Sequence, residues 1–190
     1  METKKTDRRV KYTKMVIKES FIKLLKQMPI SKITIKGICE DADINRTTFY
    51  NHYLDQYDLL HQIQKEVIDE ISHYLSNYDK NLKEVPTEMI VKVLEYIKEN
   101  AELFNLLLNS DRDIEFQQEL IKILGIQKLT TLSENSRLCK EDTEYIFNFY
   151  ASGSLGIIQK WLKDGTKKSP KELAMLILQM ALEGRSSFER

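Results

Sequence analysis

Apolar residues recur along this chain at helical spacing, and polar breaks cut the pattern into short and long segments. Ile17, Phe21, Leu24, Leu25 and Met28 fall at i, i+4, i+7, i+8 and i+11. That spacing predicts a first helix from about Val10 to Gln27, stopped ahead of Pro29. Ile35, Ile38, Cys39 and Ala42 repeat the period over a shorter helix that the Thr34 hydroxyl can cap. Asp43 stands where the chain must turn, and Asp tolerates a left-handed backbone better than most residues. Asn45 suits the cap of a third segment, about 45 to 52, with Phe49 and Tyr53 turned inward. Asp55 then caps a long helix, roughly Gln56 to Asn77, striped by Leu60, Ile63, Val67, Ile71 and Tyr74.

Beyond it, Asp79 to Val85 is a polar break, and Pro86 suits the first turn of a new helix faced by Met89, Val93, Tyr96 and Ile97. Ala101 to Leu108 is short and strongly apolar, and Asn109 to Asp113 is a loop. Ile114 to about Leu132 reads as helix, with Phe116, Leu120, Ile123 and Leu124 inward. Glu115 and Glu119 lie one turn apart there, but no His or third ligand joins them, so they read as solvated surface. Residues 133–142 form a charged linker.

The last two helices, about 142–163 and 170–183, are apolar on two sides. The first carries Ile146, Phe149, Tyr150, Gly153, Ile157 and Trp161 on one side, and Phe147, Ala151, Leu155, Ile158 and Leu162 on the other. Gly165 ends it, and Ser169-Pro170 starts the next. That final helix sets Leu173, Leu176, Ile177 and Met180 against Ala174, Met175, Leu178, Ala181 and Leu182. One side of each helix is expected to meet a partner chain in a two-fold four-helix bundle. The expected interface is Phe147, Ala151, Leu155, Ile158 and Leu162 with Ala174, Met175, Leu178, Ala181 and Leu182. The alternative is burial of both helices within one larger monomer.

Composition narrows the class. Hydrophobic residues make up 42% and charged residues 31%, with only 6 Gly and 3 Pro, which favours an all-α fold over sheets joined by tight turns. No apolar run approaches the ~20 residues that span a bilayer. The charged start has no apolar signal core behind it, so a cytoplasmic location is expected. Cys39 and Cys139 fit neither a disulfide framework nor a metal site. Net charge is zero, yet residues 1–52 hold 12 Lys and Arg against 6 Asp and Glu, while the remainder holds 17 against 23. A basic first third on an acidic body is the footprint of one nucleic-acid-facing end. Residues 1–9 read as a basic arm, with Lys4, Lys5, Arg8 and Arg9 able to reach phosphates, or as an ordinary disordered terminus.

The stretch 34–60 thus reads as a helix-turn-helix, which lays a short helix in the DNA major groove. A polar surface hairpin is the plainer reading. The order Thr34-Ile35, Ile38, Ala42, Ile44, Thr48-Phe49-Tyr50, His52-Tyr53 and Leu59-Leu60 closely resembles the DNA-binding domain of the tetracycline-repressor (TetR) family. The resemblance covers about the first 60 residues. Asp43, Asn45, Thr47 and Gln56 depart from the family's usual Gly, Ser, Gly and Lys at those places. The run from Phe149 to Leu162, with Ser169-Pro170-Lys171-Glu172, more weakly resembles the dihydroxyacetone kinase operon regulators, one known type of which works with a protein co-regulator.

This reading implies an all-α regulator: a helix-turn-helix domain over residues 1–56, joined by a long helix to a dimerisation and effector-binding domain over 57–190. The expected function is a homodimeric transcription regulator, a repressor, on a near-palindromic operator. Arg46 is the expected base reader, because a guanidinium pairs bidentately with guanine, assisted by Thr47, Asn51 and Thr48 beside the Asn45 cap. Thr34, Lys36, Tyr50 and His52 are expected on phosphates, and Gln56 could donate there without charge. Tyr96, Phe104, Phe116, Tyr145 and Phe149 could line a pocket for a small-molecule effector, or simply form core. The alternative function is a helical adaptor acting through protein contacts. With no phosphate loop, metal-ligand set or nucleophile–base pair, neither an enzyme nor a cofactor is expected.

Overall fold

The computed structural model describes residues 2–76, 87–109, 114–133 and 140–186. The described residues are helical, without strands, and the chain divides into two compact units, 1–67 and 68–190.

The first unit contains α1 (Glu2–Leu25), a single 3-10 turn (Ile30–Lys32), α2 (Ile35–Asp41), α3 (Arg46–Tyr50) and the opening turns of α4 (Gln56–Ser76). The unit boundary therefore falls inside α4. Ile17, Phe21, Ile38, Phe49 and Leu59 are completely buried and form the centre of its core. Burial of each such side chain contributes on the order of 2 kcal/mol. Lys18 Nζ stands 2.9 Å from Glu66 Oε2, which joins α1 to α4, and Lys23 pairs with Asp41 across α1 and α2. Helix α1 begins at Glu2 rather than near Val10, so the expected basic arm is helical. No Gly or Pro interrupts residues 2–25, and nothing in that run breaks the helix.

The second unit holds the rest of α4 with α5 (Thr87–Glu99), α6 (Ala101–Asn109), α7 (Ile114–Ser133), α8 (Lys140–Lys163) and α9 (Pro170–Ser186). Helix α8 packs on α6 and α7, and α9 on α5. The Leu108 carbonyl, near the end of α6, accepts hydrogen bonds from Gln117 Nε2 (3.2 Å) and Gln159 Nε2 (3.0 Å). One orphan helix-end carbonyl thereby ties three helices together. Gly165 takes φ 75°, and the Thr166 amide closes back on Trp161 O at 2.9 Å, a Schellman stop for α8. Ser169 and Glu172 then form a capping box at the start of α9, with the Glu172 amide donating to Ser169 Oγ and the Ser169 amide to Glu172 Oε2.

The α8 stripe expected at the interface is instead covered within its own subunit, while the other side is mixed, with Trp161 buried and Ile146, Tyr150 and Ile157 half-buried. Ala151, Leu155, Ile158 and Leu162 are buried in their own subunit, and Phe147 is half-buried. Neighbouring α6 and α7 cover that side. On the other side Tyr145 and Phe149 are 68% and 75% exposed. On α9, Ala174 is fully buried and Leu178 half-buried, while Met175, Leu176 and Met180 are exposed. The side chains of Leu124, Ala181 and Leu182, the break at 79–85 with Pro86, most of the loop at 109–113 and most of the linker at 133–142, including Cys139, lie outside the described residues.

Candidate nucleic-acid interface

Local chemistry fixes where α3 starts. Thr34 Oγ1 accepts the Gly37 amide at 3.1 Å and opens α2. Helix α2 closes at Ala42, whose amide bonds Ile38 O at 2.9 Å, and Asp43 then adopts the left-handed conformation, φ 51°. The Ile44 amide returns to Cys39 O at 3.0 Å. This is a Schellman turn built on Asp in place of glycine. The backbone at Asn45 is extended, and its Oδ1 accepts both the Thr48 amide (2.7 Å) and the Thr48 hydroxyl (2.9 Å).

Below the helix, buried Phe49 meets Tyr50 edge-on at 5.8 Å and Tyr53 at 5.6 Å between ring centroids. The buried Phe49 and its contact with buried Tyr53 hold α3 by its inner face. Burial, then the carboxylates of Glu66 and Asp58, pushes the Tyr53 phenol up to about 12. Cys39 is buried beneath the same turn. Desolvation raises its thiol and the nearby Arg46 charge opposes that rise, so the thiol stays protonated near neutrality.

Arg46, Thr47, Tyr50 and Asn51 are exposed together on a span one and a half turns long, and Thr34 and Lys36 are exposed on α2. Thr48, His52 and Gln56 are half-buried. Among the exposed positions of α3 the only charged group is a guanidinium. Three lysines of this unit are already engaged: Lys18 with Glu66, Lys23 with Asp41, and Lys36 with Glu40 at 3.6 Å. The Lys23 and Ser20 side chains hold the Asp41 carboxyl below its ordinary value.

Two exposed residues beside this surface were not among those expected. Leu54 is 79% exposed, and Tyr57 is exposed in the first turn of α4. Asp55 Oδ1 accepts the amides of Tyr57 and Asp58 at 2.8 Å, and Asp58 Oδ2 accepts that of Leu54 at 2.9 Å. The cap is therefore closed without a Leu54–Leu59 staple. Tyr57 could have been found from the period, because it lies two residues ahead of buried Leu59 and so on the opposite side of the helix.

The five aromatics expected around an effector do not share one place. Phe104 and Phe116 are buried; Tyr96 is half-buried, meeting Phe104 edge-on at 5.7 Å and lying 5.8 Å from Tyr74. Tyr145 and Phe149 stand on the surface, because the buried side of α8 is the one bearing Leu155 and Ile158. No described helix is long and apolar enough to cross a membrane.

Comparison with known proteins agrees with this architecture. Residues 84–183, more than half of the chain, match the family model TetR_C_8, the C-terminal region of transcriptional regulators. An uncharacterized HTH-type transcriptional regulator of Bacillus subtilis, YxbF, is 20% identical over 173 residues, 89% of this chain and 44% of that protein. The chain thus spans less than half the length of the curated relative it matches. A TetR transcriptional regulator from Streptococcus agalactiae has a TM-score of 0.69 and 25% identity, over 94% of this chain and 98% of that one. The dihydroxyacetone kinase operon activator DhaS has a TM-score of 0.65 and 19% identity over the same shares, a likeness of fold.

Proposed function

This chain belongs to the TetR family of transcriptional regulators, and on that premise we propose that it is a homodimeric repressor that binds a near-palindromic operator. The observation that carries the proposal is the surface of α3, where Arg46, Thr47 and Asn51 are exposed on a helix fixed by the Asn45 cap and the buried Phe49. Arg46 reads a guanine bidentately, with Thr47 and Asn51 beside it. Thr34, Lys36, Tyr50, His52 and Gln56 take phosphates and set the register. Asn45 and Thr48 serve the site by holding the helix start.

The dimer forms through Tyr145 and Phe149 on α8 and Met175, Leu176 and Met180 on α9, all exposed in the single chain. A Cβ added at Gly153 or Gly156 would meet nothing within 4 Å, so no neighbour inside the subunit requires glycine there. Mid-helix glycine costs about 1 kcal/mol, and close approach of a second helix accounts for it. Such a self-complementary face gives two-fold symmetry, which the operator half-sites copy.

An operator overlapping a promoter would exclude polymerase while the dimer is seated, which gives repression. A small-molecule effector or a protein co-regulator bound to the second unit would release it by favouring a conformation unfit for two half-sites. The protein would act in the cytoplasm, with the DNA. Members of this family regulate transcription and are not enzymes.

The direct test of α3 compares the chain with Arg46→Ala on operator and on unrelated duplex. Removal of a bidentate guanine pairing should weaken operator binding by about 10- to 100-fold per half-site. Salt-sensitive binding to unrelated duplex should persist. Full operator affinity and selectivity in Arg46→Ala would remove Arg46 from this role.

A further inference from the structure

We infer that the elbow joining α3 to α4 grips the wall of the DNA groove by apolar contact, with Leu54 and Tyr57 lying against deoxyribose; this rests on the DNA-binding reading above. Leu54 is 79% exposed, the most exposed large apolar side chain among the described residues. An apolar residue just ahead of a helix cap ordinarily staples onto the residue five positions on. Here that residue is Leu59, fully buried on the core side, and Leu54 at this exposure makes no staple. Tyr57, in the first turn of α4, is exposed as well. Exposed aromatic and apolar residues thus continue along the chain from Tyr50, the last residue of α3, through Leu54 to Tyr57. Nothing within the folded head accounts for the last two.

The elbow is fixed in one conformation. The Tyr53 amide bonds Phe49 O at 3.0 Å, the Leu54 amide bonds Asp58 Oδ2 at 2.9 Å, and Asp55 Oδ1 takes the Tyr57 and Asp58 amides at 2.8 Å. Little backbone ordering is left for binding to impose. Elbow and α3 belong to the same compact unit, so the placement of one fixes that of the other. Leu54 lies four residues beyond the end of α3, within a reach of about 14 Å. The major groove is about 12 Å wide, so a helix seated in it has a sugar–phosphate wall within that reach.

The chemistry of the elbow selects the part of the wall that it meets. Residues 53–58 contain no Lys or Arg, so an ionic contact with phosphate has no donor there. The two carboxylates are occupied: Asp55 by the amides it caps, and Asp58 by the Leu54 amide and by Gln62 Nε2 at 3.1 Å. Both stand at the positive end of α4, which offsets part of their charge. What the elbow offers outward is a leucine side chain and a phenol ring. The matching surface of duplex DNA is deoxyribose, the uncharged part of its backbone, and contact there adds affinity without base preference.

The test measures operator binding by calorimetry across a range of salt for the full chain, for Leu54→Ser/Tyr57→Ser and for Leu54→Met. The double variant should bind about tenfold more weakly per half-site, the effect of leaving an apolar side chain out of a contact. Its heat-capacity change on binding should be less negative, because less apolar surface is buried. The slope of log K against log salt should stay the same, because no charge is lost. Base preferences and thermal midpoint should also be kept, and Leu54→Met, which preserves the apolar area, should bind like the unaltered chain. Normal affinity in the double variant overturns this inference alone and leaves the patch to a protein partner. A shallower salt slope also overturns it, since that would mark a lost ionic contact, as does a Leu54→Met that binds as weakly as the double variant. Failure of the unaltered chain to bind any duplex would overturn the DNA-binding reading as well.

Discussion

Asn45 and Thr48 are locked together at the start of α3, where one Asn45 oxygen accepts the Thr48 amide at 2.7 Å and the Thr48 hydroxyl at 2.9 Å. The helix they begin is only five residues long, so its orientation depends on this cap and on Phe49 beneath it. Asn45→Ala should destabilise the chain by about 1 kcal/mol. Asn45→Asp keeps the acceptor and should unfold normally, yet bind DNA more weakly because it places an anion against phosphate. Equal stability of Asn45→Ala and the unaltered chain in denaturant titrations would contradict the role given to the cap.

The exposed faces of α8 and α9 give a contrast between two substitutions on one helix. Phe149→Glu should leave each subunit folded but raise the dimer dissociation constant by more than tenfold in sedimentation equilibrium. Leu155 is only 6% exposed, and Leu155→Ala should cost about 2–5 kcal/mol of folding stability. A fully dimeric Phe149→Glu at low concentration would place the interface elsewhere.

The head of the molecule was legible because its signals are local. The caps at Thr34, Asn45 and Asp55 and the turn at Asp43 each depend on a few adjacent residues, and all four form as their side chains predict. The stripe of α8 that its own subunit covers was not legible in that way. Residues 147–162 are apolar on both sides, and helical period alone cannot say which side its own subunit will cover. Packing of α6 and α7 decides it, and that is a property of distant sequence. Gly153 and Gly156 share the side that bears Phe149, the side proposed for the partner chain. The same packing removed Tyr145 and Phe149 from the expected pocket.

Acid should loosen the junction between α1 and α2. Hydrogen bonds from Lys23, then Ser20, hold the Asp41 carboxyl below its ordinary 3.8. A depressed carboxyl stabilises the fold above that ordinary value, and the contribution disappears as pH falls through the lower folded value. Asp41→Asn should therefore be less stable than the unaltered chain at pH 6, with the gap closing toward pH 2. Urea midpoints across that range check this, and a gap independent of pH would refute it.

Alkali acts at Tyr53 with the opposite sign. Its phenol ionises near 10 when unfolded and about 12 when folded, because burial and two carboxylates oppose the phenolate. Stability is full below the unfolded value and falls as pH rises from 10 toward 12, by on the order of 2 kcal/mol. Tyr53→Phe should lose that part of the alkaline decline. An identical decline in both proteins would show that the phenol does not report on the head's integrity.

The most direct measurement for the central claim is selection of bound sequences from a random duplex pool, with the stoichiometry of the winning complex. A homodimeric operator-binding regulator should enrich a near-palindromic consensus, with guanine at the position that Arg46→Ala relaxes, occupied by two subunits or a pair of dimers. Absence of any enriched sequence, with the protein folded and dimeric, would contradict sequence-specific operator binding by this chain alone.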